Sequence, residues 1–182
     1  FINKGYGDSS MSQLKVNSIV PVGGLPSGSS GGIIQCKQAF KGNTFTTTSS
    51  SFTDVTGLSV SITPSSNTSQ ILVRVYICGQ GRNNYARCVP RLMRDSTSIG
   101  NSTDPGNRVS GFAQLYDGND GNNVRSAGIE FLDSPATTSS VTYKVQIRNA
   151  NNTGDAMCIN RTYDDGNNSV NHRYSSSITV FE

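Results

Sequence analysis

Between Phe52 and Gly79 the chain alternates apolar and polar residues twice, with a turn between the two runs. Leu58, Val60 and Ile62 alternate with Ser59, Ser61 and Thr63. The turn holds Pro64, Ser65, Ser66, Asn67, Thr68 and Ser69. Beyond it, Ile71, Val73, Val75 and Ile77 share one face, and Leu72, Arg74, Tyr76 and Cys78 share the other. Successive side chains on a strand point to opposite faces, so a period of two predicts half-buried antiparallel strands. VTYKVQIRN repeats the pattern, with Val141, Tyr143, Val145 and Ile147 on one face and Thr142, Lys144, Gln146 and Arg148 on the other. The same reading predicts strands over 33–41, 44–48, 52–63, 70–79, 86–94, 108–116, 124–132, 140–149, 156–162 and 174–182. Gly- and Asn-rich turns at 102–107, 117–123, 149–155 and 164–169 separate them. Many short strands with a turn about every ten residues predict an all-β chain, an antiparallel β-sandwich or jelly roll. No stretch has helical periodicity.

Residues 1–32 differ from this pattern. Leu14 to Val22 can make one short extended segment, and GGLPSGSSGG after it reads as a flexible linker. The expected organisation is an extended N-terminal arm over 1–32 and a sandwich domain over 33–182. Met11 opens MSQLKVNSIVPVGG and reads as a natural start, with the ten residues before it an upstream extension or a processed remnant.

Composition narrows the picture. Of 182 residues only 34% are apolar, and there is no tryptophan. Sheet faces covered with hydroxyls, or burial shared with another subunit, fit that content. The net charge of +3 and a pI near 8.7 are too mild for a nucleic-acid footprint, which needs clustered basic residues. The nearest cluster, Arg82, Arg87, Arg91 and Arg94, reads first as solvated charge around a hairpin and second as a contact for an anionic surface glycan. No apolar run reaches the ~18 residues of a membrane helix, and FINKGYGDSS has no apolar core of a signal peptide.

Few residues offer chemistry. Cys36, Cys78, Cys88 and Cys158 form no CxxC pair and are expected as free thiols, with a Cys78–Cys88 bridge as the alternative. Asp117, Asn119 and Asp120 invite a loop calcium but miss the EF-hand pattern, and the same holds for Asp164 and Asp165. His172 is the only histidine, and no GxSxG elbow exists. Asp117, Asp120, Glu130, Asp133, Asp164 and Asp165 are candidate glycosidase carboxylates, but no spacing selects two of them. Asn67, Asn101, Asn151, Asn160 and Asn167 begin glycosylation sequons that this composition produces by chance. The expectation is a non-enzyme with no cofactor and no metal.

MSQLKVNSIVPVGG, GGIIQCKQAFK, FTDVTGLSVSITPSSNTSQILVRV, INRTYDDGNN and the closing SSITVFE together resemble small virion structural proteins of tailed bacteriophages, notably phages of marine bacteria. The likeness runs from about Met11 to Glu182. It implies a trimeric jelly-roll head like the tumour-necrosis-factor fold, joined to an N-terminal virion anchor. On that reading Leu14, Val16, Ile19 and Val22 pair with a portal, tail or capsid protein by strand addition. The chain is then a fibre or knob subunit in the virion, assembled in the host cytoplasm and attached to the host surface. The alternatives are a capsid decoration protein without a receptor and, less favoured, a small glycan-cleaving enzyme. The expected partners are copies of itself as a homotrimer, other virion proteins and a host surface glycan, with neither nucleic acid nor membrane. Tyr85, Tyr116 and Tyr163 sit by Gly/Asn turns, where they can stack on sugars or pack strand ends.

Overall fold

A computed structural model describes residues 32–81, 86–103, 106–116, 123–151 and 153–182. Among them there is no helix, and ten strands form two antiparallel sheets, so the chain is an all-β sandwich. The strands are β1 (Cys36–Lys41), β2 (Phe45–Thr47), β3 (Thr53–Ile62), β4 (Ile71–Gly81), β5 (Cys88–Arg94), β6 (Thr97–Ile99), β7 (Arg125–Asp133), β8 (Val141–Asn149), β9 (Met157–Ile159) and β10 (Ser176–Phe181). The larger sheet centres on β4. One edge of β4 pairs with β10 over Leu72–Tyr76 and then with β9 over Gly79–Gly81, and the other edge pairs with β7. β1 and β2 lie outside β10 and β9. The smaller sheet has the order β3-β8-β5-β6.

The alternation in the sequence becomes the core. Leu58, Ile62, Ile71, Ile77, Leu92, Val145, Ile147 and Ile178 are wholly buried between the sheets. Burying such a side chain is worth about 1.5–3 kcal/mol, so these residues dominate the stability of the sandwich. One buried polar group ties the sheets together. Asp133 of β7 accepts from Arg94 Nη1 of β5 at each carboxylate oxygen, both at 2.8 Å, and from the Tyr143 hydroxyl of β8 at 2.6 Å. Burial and the Asp133 carboxylate both push the Tyr143 phenol up, so Tyr143 stays a donor.

Asn160 closes the larger sheet where β9 gives way to β10. It is wholly buried and has a positive φ of 62°. Its amide donates to the carbonyls of Lys41 and Asn43, and its Oδ1 accepts from Ser176 Oγ at 2.6 Å. This sequon asparagine is therefore part of the interior. At the edge of the same sheet, the Glu182 side chain accepts from Gln35, from Ser69 Oγ, and from both the amide and the hydroxyl of Ser65. Desolvation pushes that carboxyl up, but these donors outweigh it and hold the pKa down at about 2.

Two strand expectations need correction. The 108–116 segment forms no strand and meets β5 through an isolated antiparallel bridge between Leu115 and Cys88 and through Phe112 N, which donates to the Pro90 carbonyl. Pro90 has no N–H to return, so a ladder cannot continue there. The short β6, pairing with β5 over Leu92–Arg94, takes the edge instead and was not legible as a strand. The predicted 52–63 strand exists as β3, but its phase changes midway. The step from Asp54 to Ser59 faces only the step from Gln146 to Lys144, which marks a bulge. Gly57 sits in the bulge with φ 87°. As a result Leu58, Val60 and Ile62 point inward while Asp54 lies on the outer side with Ser59 and Ser61.

Candidate functional site

The outer face of the smaller sheet carries a charged groove of about 620 Å³, lined by Arg91, Asp95, Ser96, Thr142, Lys144 and Gln146 among others. Its cross-strand rows follow from register. Asp54, Gln146 and Arg91 make one row, and Ser59, Lys144 and Met93 make the next. The bulge at Gly57 puts Asp54 on this face.

Hydrogen bonds run along the first row. Arg91 Nε donates to Gln146 Oε1 at 2.8 Å, and Gln146 Nε2 donates to Asp54 Oδ1 at 2.6 Å. Lys144 Nζ donates to Asp54 Oδ2 at 2.9 Å. Desolvation pushes the Asp54 carboxyl up, but the bonds from Lys144 and Gln146 and the charges of Lys144 and Arg91 hold it below the usual range. Two guanidiniums lie against the Phe52 ring. Arg91 Cζ stands 3.7 Å from the ring centroid and Arg148 Cζ 5.6 Å from it. Burial and the neighbouring Arg148 charge both push the Arg91 pKa down, and Asp54 opposes them. Arg148 Nε is buried without a hydrogen-bond partner.

The outer face of the larger sheet has a different chemistry. Register aligns Cys36, Phe181, Leu72 and Leu132 in one row, then Gln38, Thr179, Arg74 and Glu130, then Phe40, Ser177, Tyr76 and Gly128. Phe40 is 67% exposed, Leu132 53% and Tyr76 49%. The two charges on these rows neutralise each other through an Arg74–Glu130 pair at 2.5 Å.

The candidate residues from the sequence fall in several places. Tyr116 lies beside Arg87, whose Cζ is 5.5 Å from its ring, and Tyr163 lies in the connection between β9 and β10. Tyr85 and Arg82, the calcium candidates Asp117, Asn119 and Asp120, and the anchor residues Leu14, Val16, Ile19 and Val22 lie outside the described residues. Asp165 pairs with Arg161 and Arg173. Glu130 and Asp133 point to opposite sides of β7, so they cannot flank one bond. Arg94 faces inward to Asp133, away from Arg91. All four cysteines are free thiols, and burial pushes Cys88 and Cys158 up, which keeps both protonated. Among the described residues, no three of His, Cys, Asp and Glu come together as metal ligands, and no helix is long and apolar enough to cross a membrane.

Sequence reasoning missed Phe52, Asp54 and Arg148 as members of one site. The alternation in VTYKVQIRN did place Lys144, Gln146 and Arg148 on a common face. What it lacked was the pairing of β8 with β3 and β5. The chain matches no protein-family model and no curated protein.

Proposed function

We propose that this chain is a structural protein of a tailed-phage virion, a fibre or knob subunit with a jelly-roll head that attaches to the host surface. Three copies pack through the outer face of the larger sheet. The arm before residue 33 anchors them to the particle through Leu14, Val16, Ile19 and Val22, and the smaller sheet faces outward. The likeness of the sequence to small phage virion proteins supplies the class.

The observation that carries the assembly is the exposed apolar face of Phe40, Tyr76 and Leu132 around a self-neutralised ion pair. Large exposed apolar residues on one face mark an interaction surface. A face without net charge can meet its own copy without like-charge repulsion. Nothing in the reading requires catalysis, a metal or a cofactor.

The test is assembly of particles from a chain lacking residues 1–22. The expected result is a folded trimer by light scattering that fails to join particles. Normal incorporation of the truncated chain would place the anchor on the sandwich and favour a capsid-decoration protein that seats this same apolar face on the shell.

A further inference from the structure

We propose that the outer face of the smaller sheet binds an acidic saccharide, with Arg91 and Arg148 taking its carboxylate or sulfate group and the groove toward Thr142, Ser96 and Asp95 taking its hydroxyls. This rests on the attachment reading for why the protein meets a saccharide, and it names the class of receptor.

The charge count on this face is uneven. Asp54 is neutralised by Lys144 and is bonded by Gln146. That leaves Arg91 and Arg148 as two like charges on one aromatic ring, with no carboxylate of their own. Arg91 gives only its Nε to a protein acceptor, Gln146 Oε1. Arg148 Nε is buried and has no hydrogen-bond partner among the described residues. Arg148 as a whole is half-buried, so an anion brought to its guanidinium by a ligand is screened less than at an open surface.

The geometry favours an oxyanion. A guanidinium presents a planar fork that matches carboxylate and sulfate oxygens with parallel bonds. Phe52 packs against the Arg91 guanidinium, with Cζ 3.7 Å from the ring centroid, and the Gln146 bond restrains its rotation. Less side-chain entropy then remains to be lost on binding. The oxyanion would also relieve the repulsion between the two arginines, which adds to burial in pushing the Arg91 pKa down.

The other end of the groove sets the orientation. Asp95 lies four residues along from Arg91, about 13 Å at strand rise. Its Oδ1 accepts from Thr142 N at 2.9 Å, and the carboxylate has further acceptor capacity. With the hydroxyls of Ser96 and Thr142 beside it, this end suits sugar hydroxyls and repels a second anion. A saccharide with its acidic group at one end and neutral hydroxyls at the other fits this gradient.

The test uses the full chain titrated with oligogalacturonate, dextran sulfate and neutral dextran at low and physiological salt. We expect saturable, salt-weakened binding of an anionic probe and no binding of dextran. Oligogalacturonate alone would assign a carboxylate ligand, and dextran sulfate alone a sulfate ester. Arg91→Gln and Arg148→Gln should each weaken binding roughly tenfold or more, and Arg74→Gln on the opposite sheet should not. Arg148 also packs on Phe52, so the urea midpoint of each variant is read alongside binding, and a loss of binding at a parental midpoint reads the site and not the fold. The site is overturned if neither anionic probe saturates, or if both variants bind like the parent. Adsorption of phage to host cells with excess chain present reads the attachment step separately. A chain that blocks adsorption but ignores both anionic probes removes this site and leaves attachment standing. Anionic binding through Arg91 and Arg148 without blockage keeps the site and removes attachment.

Discussion

The two outer faces of the sandwich are built by the same alternation and differ in what it places outside. On the larger sheet it exposes Phe40, Tyr76 and Leu132, with Arg74 and Glu130 cancelling each other. On the smaller sheet it turns half-buried Arg91, Lys144, Gln146 and Arg148 outward, with the two arginines against Phe52 and Asp54 as the carboxylate within that network. Burying the first face would desolvate one ion pair, Arg74–Glu130, whose charges already compensate each other. Burying the second against an apolar partner would leave at least two guanidiniums uncompensated, at several kcal/mol each. One face is therefore suited to contact between copies, and the other to a wet surface that recognises a polar ligand.

The largest expected effect is on assembly. Tyr76→Glu combined with Leu132→Glu should convert a trimer to a monomer by light scattering, with the head still folded. Each position is worth about 2 kcal/mol if it is central to the interface, so the pair changes association by roughly a thousandfold. Ser61→Glu combined with Thr142→Glu, on the smaller sheet, should leave the mass unchanged. If the second pair dissociates the assembly and the first does not, the roles of the two faces are reversed.

A smaller effect is expected where the faces are held back to back. Asp133→Ala leaves the half-buried Arg94 guanidinium and the buried Tyr143 hydroxyl without their shared acceptor. Breaking a buried pair from one side typically costs about 3 kcal/mol, here partly offset because Arg94 is 23% exposed. The denaturant midpoint should fall in the variant, with Asp133→Asn losing less because it keeps an acceptor oxygen. A midpoint within error of the parent would mean that apolar packing alone joins the sheets.

How much of this was legible depends on the range of the interaction. The runs from Leu58 to Ile62, Ile71 to Ile77 and Val141 to Ile147 could be read because alternation is local, and their inward faces became the core. The same reading separated Lys144, Gln146 and Arg148 from that core. It could not join them to Arg91 and Phe52, because those neighbours come from β5 and β3 and are set by pairing over long sequence separations. Grouping Arg94 with Arg91 failed for a local reason, since three positions along a strand lie on opposite faces. The tie of Asp133 to Arg94 and Tyr143 was hidden for the same long-range reason, and so was the burial of Asn160. The 108–116 prediction failed because a sequence window records its own residues and does not record the missing donor at Pro90.

The smallest expected effect tests the local device that sets the smaller face. Even-numbered Leu58, Val60 and Ile62 point inward, so unbroken alternation would turn Asp54 inward as well. The bulge prevents this, and Gly57 in the left-handed region is its pivot. An added Cβ at Gly57 would meet only the Lys41 side chain, at 3.8 Å, so Gly57→Ala meets no clash. The remaining cost is conformational, about 1 kcal/mol for a side chain held at positive φ. We expect a fall of that size in unfolding free energy by urea titration, with the trimer mass unchanged. Binding of the anionic probe should weaken further than the stability loss explains, because the residues before the bulge carry Phe52 and Asp54. A variant that loses stability but binds the probe with parental affinity would show that the bulge shapes the strand without setting the groove.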